Sequence, residues 1–140
     1  MDLKNYTVDA ARKQELKDII TKELASRSDI GFACLFGSFI DGSPAFRDID
    51  LGVYYRQTDR RKNFNNAIDL SVKLTLKTTI PVDARPLNDA PATFLYKVLK
   101  GELICEHDED LRCRVTENTL RDYFDIKPIL YRAMKEAFAS

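Results

Sequence analysis

The chain has 140 residues, with 22 Lys+Arg against 22 Asp+Glu, one His, three Cys and no Trp. That length fits one domain, read here as residues 1–140, and buries about two-thirds of its unfolded surface without a disulfide or metal staple. An apolar content of 44% with zero formal net charge excludes a disordered chain, and it excludes body-wide attraction to nucleic acid or an anionic membrane.

Cys34, Cys105 and Cys113 are odd in number and show no C-x-x-C spacing. They read as reduced thiols in or near a core. No apolar run reaches the roughly 18 residues of a membrane span. The polar start, MDLKNYTVDAARKQ, does not resemble a signal peptide. The expected location is therefore the cytoplasm.

In chain order, Leu16, Ile19, Ile20 and Leu24 form an apolar stripe at helical period, with Asp9 as N-cap. The polar stretch 26–30 ends this helix. Residues 31–36 (GFACLF) read as a buried strand, and 39–47 (FIDGSPAFR) as a loop. A second strand is expected over 48–55. A second helix follows, with Phe64, Ala67, Ile68, Ser71, Val72 and Thr75 on one face and Leu70 and Leu74 beside it. Pro81 and Pro86 make the extended stretch 79–87 an edge strand or a strand with a short pairing region. Asn88 and Asp89 signal a helix start with Pro91 near its first position, and Gly101 ends that helix. Residues 102–106 (ELICE) form a short strand. From Asp108 the pattern is helical to the end, and Pro128 is expected to kink or divide it. The order α-β-β-α-β-α-β-α predicts an α/β (α+β) fold: a small mixed sheet flanked by helices, with a C-terminal helical segment.

The chemistry concentrates between Leu35 and Leu51. A strand runs into Gly37-Ser38, and the next begins with Asp48 and Asp50. Residues i and i+2 of a strand share a face, roughly 6.5–7 Å apart. Two carboxylates so placed repel each other and call for cations. An oxygen-only ligand set suits Mg²⁺ or Mn²⁺ and not Zn²⁺. Gly37 lets backbone approach a phosphate, and a turn opening at Gly37-Ser38 presents free N–H groups. A metal-bound nucleoside triphosphate is the ligand this combination fits. His107, in the acidic stretch EHDED, reads as a surface residue. Arg56, Arg60, Arg61 and Lys62 read as a solvated helix start rather than an RNA-binding patch.

Gly37-Ser38, nine residues, then Asp48-Ile49-Asp50-Leu51 resembles the signature of the DNA-polymerase-β-like nucleotidyltransferases, and above all their minimal members. The resemblance continues through 82–91 (VDARPLNDAP), 95–104 (LYKVLKGELI) and a terminal helix with Tyr123, Asp125 and Pro128. It implies a nucleotidyltransferase fold in which Asp48 and Asp50 hold two Mg²⁺ ions. Asp83 would be the third carboxylate, completing the second metal position and helping to deprotonate the acceptor hydroxyl. Gly37 and Ser38 would hold the β- and γ-phosphates of ATP. Where the family often carries Arg and Ser, this chain has Asp41 and Arg47, and Arg47 becomes a candidate phosphate contact. Minimal members of this length resemble MntA-like antitoxins paired with HEPN-domain toxins. That resemblance implies transfer of AMP from ATP to a toxin tyrosine, in a hetero-oligomer. The length argues against an added substrate lobe. Two other readings are an aminoglycoside-like small-molecule transferase and a binding module that blocks its partner without catalysis.

Overall fold

The computed structural model describes residues 4–139. Residues 1–3 and 140, which belong to the polar start and to the expected single-domain span, lie outside the described residues. The element order is α1 (Ala10–Ala25), β1 (Ile30–Phe36), β2 (Ile49–Tyr55), α2 (Arg60–Thr78), β3 (Val82–Pro86), α3 (Ala92–Leu99), β4 (Glu102–Glu106) and α4 (Glu109–Ala137). The four strands form one sheet in the order β3-β2-β1-β4. β1 pairs antiparallel with both β2 and β4, whereas β2 and β3 run parallel. The sheet is mixed, as the sequence predicts.

Alternation along the strands divides the interior into two cores. On one face Leu35, Leu51, Val53 and Ala84 pack with Leu16, Ile20 and Leu24 of α1 and Leu70 and Leu74 of α2. On the other face Phe32, Cys34 and Phe36 pack with Val98 of α3 and Val115 of α4. Asp9 caps α1 by accepting the Arg12 N–H at 2.7 Å, as its position suggests. Asp59 caps α2 in the same way, accepting from Arg61 and Lys62.

α2 is rotated from the expected face. It rests on Asn63, Ala67, Leu70, Leu74 and Thr78, while Phe64, Ile68 and Val72 stand 56%, 49% and 54% exposed. The rotation has a cause at the sheet edge. The Ser71 hydroxyl accepts the Ala84 N–H at 2.9 Å, and the Thr75 hydroxyl accepts the Val82 N–H at 2.9 Å. Both donors point away from β2, and the next such position is Pro86, which has no N–H. The edge strand is thereby closed by side chains of α2.

Two further expectations change. Pro128 does not divide the last helix, which runs unbroken from Glu109 to Ala137. Pro128 and its neighbours are exposed, so water can serve the Phe124 carbonyl that loses its partner. His107 is not a free surface residue: its Nδ1 lies 3.0 Å from the Ile30 carbonyl and its Nε2 3.6 Å from Cys105 Sγ, tying the end of β4 to β1. Cys34 and Cys105 are buried free thiols, whereas Cys113 is exposed on α4. Burial pushes the Cys34 thiol up to about 11. Among the described residues no helix is long and apolar enough to cross a membrane.

Candidate active site

Strand register brings the carboxylates together. Asp50 of β2 is the direct partner of Asp83 on β3, on the sheet face shared with α3. Asp48 sits in the bend just before β2. On the other side of Asp50, Phe36 ends β1 as its cross-strand partner, and the chain then turns at Gly37. The Gly37 carbonyl accepts the N–H groups of both Ile40 and Asp41 at 3.0 Å, closing a single helical turn that opens with Ser38. Gly37 has φ +80°, and a Cβ there would collide with Asp50 Oδ2. Glycine is thus required twice, by the left-handed backbone and by the carboxylate beside it.

The loop between the two halves of the motif is pinned by aromatic side chains. Phe39 and Phe46 are buried and meet edge-to-face at 5.0 Å. Phe46 also forms an isolated backbone bridge with Tyr6, donating and accepting at 3.0 and 2.7 Å. These contacts anchor the segment that delivers Asp48. Asp41 is exposed at the loop tip. Its carboxylate accepts from the Ser43 hydroxyl and N–H, which hold it below the usual carboxylate range. Arg47 is exposed in the bend next to Asp48.

Electrostatics single out Asp50. Burial, then the charges of Asp48 and Asp83, push its carboxyl up to about 6, while Arg85 and Lys97 oppose the rise. The deficit is one of cations, and the donors are all oxygens, which suits a divalent ion. Among the described residues, no three His, Cys, Asp or Glu side chains approach closely enough to hold a metal between them. One reason is visible at Asp83, whose Oδ2 accepts from Arg85 Nε at 2.8 Å.

Arg85 and Lys97 are the functional candidates that sequence reading misses. Arg85 lies over the Phe94 ring at 5.9 Å, and Lys97 over the Phe36 ring at 6.0 Å. The two rings meet edge-to-face at 5.6 Å, so one aromatic pair carries both cations beside the carboxylates. The i, i+2 spacing of Asp83 and Arg85 signals a shared face, but nothing local marks Lys97. Asn88, read as part of a helix start, instead brackets the end of β2. Its Oδ1 accepts the Tyr55 N–H at 3.0 Å and its Nδ2 donates to the Tyr55 carbonyl at 2.8 Å.

Residues 18–110 match the family model described as polymerase beta, nucleotidyltransferase. The chain belongs to this nucleotidyltransferase family. The match contains every carboxylate of the site, together with the Gly37 turn, Arg85 and Lys97. Comparison with curated protein sequences returns no match. Solved structures of similar fold extend over nearly the whole nucleotidyltransferase chain. One is a tri-AMPylated Shewanella oneidensis HEPN toxin in complex with an MNT antitoxin, at 19% identity and TM-score 0.67, covering 91% of this chain and 99% of the other. Another is a toxin–antitoxin structure with AMP-PNP, at 20% identity and TM-score 0.69, covering 88% and 98%. A third is the MntA–HepT toxin–antitoxin, at 19% identity and TM-score 0.65, covering 90% and 99%. At these identities the likeness is one of fold.

Proposed function

We propose that this nucleotidyltransferase moves AMP from ATP onto a tyrosine hydroxyl of a HEPN-type partner protein, silences it as an antitoxin does, and acts within a hetero-oligomer. The observation that carries the reading is the pairing of Asp50 with Asp83 in register, with Asp48 and the Gly37 turn on either side. The AMPylated toxin and the AMP-PNP complex among the structural neighbours support the choice of nucleotide and acceptor. Residues 1–140 are read as one catalytic unit working in the cytoplasm.

Each residue has a task in this reading. Two Mg²⁺ ions held by Asp48 and Asp50, with Asp83 completing the second position, would neutralise charge on the triphosphate and on the attacking oxygen. Gly37 and Ser38 receive the β- and γ-phosphates at the open end of their turn, where N–H groups precede the hydrogen-bonded part. Arg47 adds a cation for the same phosphates. Asp83 orients the tyrosine hydroxyl and takes its proton. The phenolic oxygen bonds to the α-phosphorus, the bond from that phosphorus to the bridging oxygen breaks, and pyrophosphate leaves.

The test is to incubate the chain with ATP, Mg²⁺ and the product of the neighbouring gene, then weigh that protein intact. Gain of adenylyl mass is expected with the wild type. Its loss is expected with Asp48→Asn, with the circular dichroism spectrum unchanged. No mass gain with the wild type overturns the proposal. Neutralisation that survives Asp48→Asn would instead mark a binding module acting without catalysis.

A further inference from the structure

A groove runs along the outside of β3 and ends at Asp83. One hollow of about 540 Å³ is lined by Arg60, Arg61, Phe64 and Pro86 among others. A second, of about 810 Å³, shares Phe64 and Pro86 and continues past Ile68 and Val72 to Asp83, Arg85 and Phe94. One wall is the exposed ridge Phe64, Ile68 and Val72, spaced i, i+4, i+8 along α2. Such a ridge on a folded helix covers none of the chain's own core, and apolar patches of this kind mark interaction sites.

We propose that this groove seats an amphipathic helix of the partner protein and presents the acceptor hydroxyl to Asp83. The inference rests on the transfer reaction proposed above and names its docking surface. Three observations choose the occupant. First, an added strand is ruled out, because Ser71 and Thr75 already take the outward N–H groups of Ala84 and Val82, and Pro86 has none. What remains is side-chain docking, and a ridge at i, i+4 spacing accepts the grooves of another helix. Second, the far mouth is lined by Arg60 and Arg61 against one acid, Asp89, which pairs with Arg60 at 3.9 Å, so the entering helix carries a carboxylate for Arg61 at that end and apolar residues along its middle. Third, Asp83 forms part of the groove wall, so an occupant seated on α2 places its opposite end at Asp83.

The experiment uses the full chain, Ile68→Glu, Val72→Glu and Arg61→Glu with the product of the neighbouring gene. Binding is read calorimetrically without ATP, transfer by intact mass, and nucleotide binding with Mn²⁺·ATP alone. Both apolar positions are about half exposed, so the variants should fold, and a thermal melt checks this. Ile68→Glu and Val72→Glu should weaken partner binding by about tenfold or more and reduce transfer in step, with Mn²⁺·ATP binding unchanged. Arg61→Glu should weaken binding and flatten its salt dependence. Partner binding equal to wild type in both apolar variants overturns the groove, as does absence of binding by the wild type. Binding that these variants weaken, without any transfer, supports the groove and overturns the transfer reaction alone. A concentration-dependent dimer of the chain that Ile68→Glu abolishes assigns the groove to a second copy and overturns the proposal.

Discussion

Asp50 sits where burial of its carboxyl and then two neighbouring carboxylates disfavour its charge. Its folded pKa is raised to about 6, above the unfolded value. The folded state therefore holds more protons between roughly pH 4 and 6, and stability falls as pH rises through that window. Above it Asp50 destabilises the metal-free fold by about 1–2 kcal/mol, after discounting for its partial exposure. Asp50→Asn should raise the melting temperature of the metal-free chain at pH 7.5 and abolish transfer. Its stabilising effect should disappear below pH 4, as melts across pH would show. Arg85 acts in the opposite sense, as a resident cation on Asp83. Since that pair is half exposed, releasing it is worth under about 1 kcal/mol. Arg85→Gln should thus tighten Mn²⁺ binding to the nucleotide-free chain by about threefold, measured by titration calorimetry. Weaker binding would mean that Arg85 supports the site instead of competing for it. The i, i+2 spacing of Asp83 with Arg85 is legible in sequence, because strand pleat follows from local backbone geometry, whereas Asp48, expected to open the strand, lies in the bend just before it. Lys97 is not legible, because only the packing of Phe36 on Phe94 brings α3 over the carboxylates.

Among the elements, α2 does the most to shape the site. It closes the edge of β3 with two hydroxyls and leaves Phe64, Ile68 and Val72 outward while Leu70 and Leu74 are buried. Periodicity identified the helix but chose the wrong face. Phe64, Ile68 and Val72 are more hydrophobic than Asn63 and Thr78, yet the sheet edge rewards Ser71 and Thr75 at a fixed rotation. The helix ends at Thr79, which adopts φ +62° and donates its N–H to the Thr75 carbonyl. A β-branched residue in the left-handed region is strained, and glycine is not. Thr79→Gly should raise stability by about 1 kcal/mol and the melting temperature by a few degrees. A fall would mean that the Thr79 hydroxyl, which donates to the Thr78 carbonyl at 2.6 Å, outweighs the strain.

Across the whole molecule, two helices cover each face of one sheet, and a charged network joins the first pair. Glu23 of α1 is 9% exposed and accepts from Arg27 at 3.1 Å and from Lys77 of α2 at 2.8 Å. Arg27 also reaches Asp69 of α2 at 3.1 Å. Lys77 and Arg27 keep the Glu23 carboxyl below its ordinary range against the pull of burial. By contrast, α4 is engaged only in its first half. Val115 and Thr119 are buried, and Tyr123 stacks on Tyr96 at 3.7 Å, but positions 124–139 are exposed. Ending the chain after Asp125 should leave the stability within about 1 kcal/mol of the full chain, because little apolar surface is lost from the cores. A larger loss in chemical denaturation would show that the last turns support the fold.

Sequence alone settled the order and kind of all eight elements, the Gly37 turn, and the Asp48–Asp50 pair that follows it. Those features depend on chemistry within a few residues: apolar period, capping side chains, glycine at positive φ, and alternation along a strand. Tertiary structure alone decided which face of α2 is buried, that Pro128 leaves α4 whole, and that Arg85 and Lys97 stand beside the acids. Pairing β2 with β3 in parallel sets Asp50 against Asp83, more than 30 residues apart in the chain. No local preference encodes such a contact, because it exists only once strand register and helix packing are satisfied together.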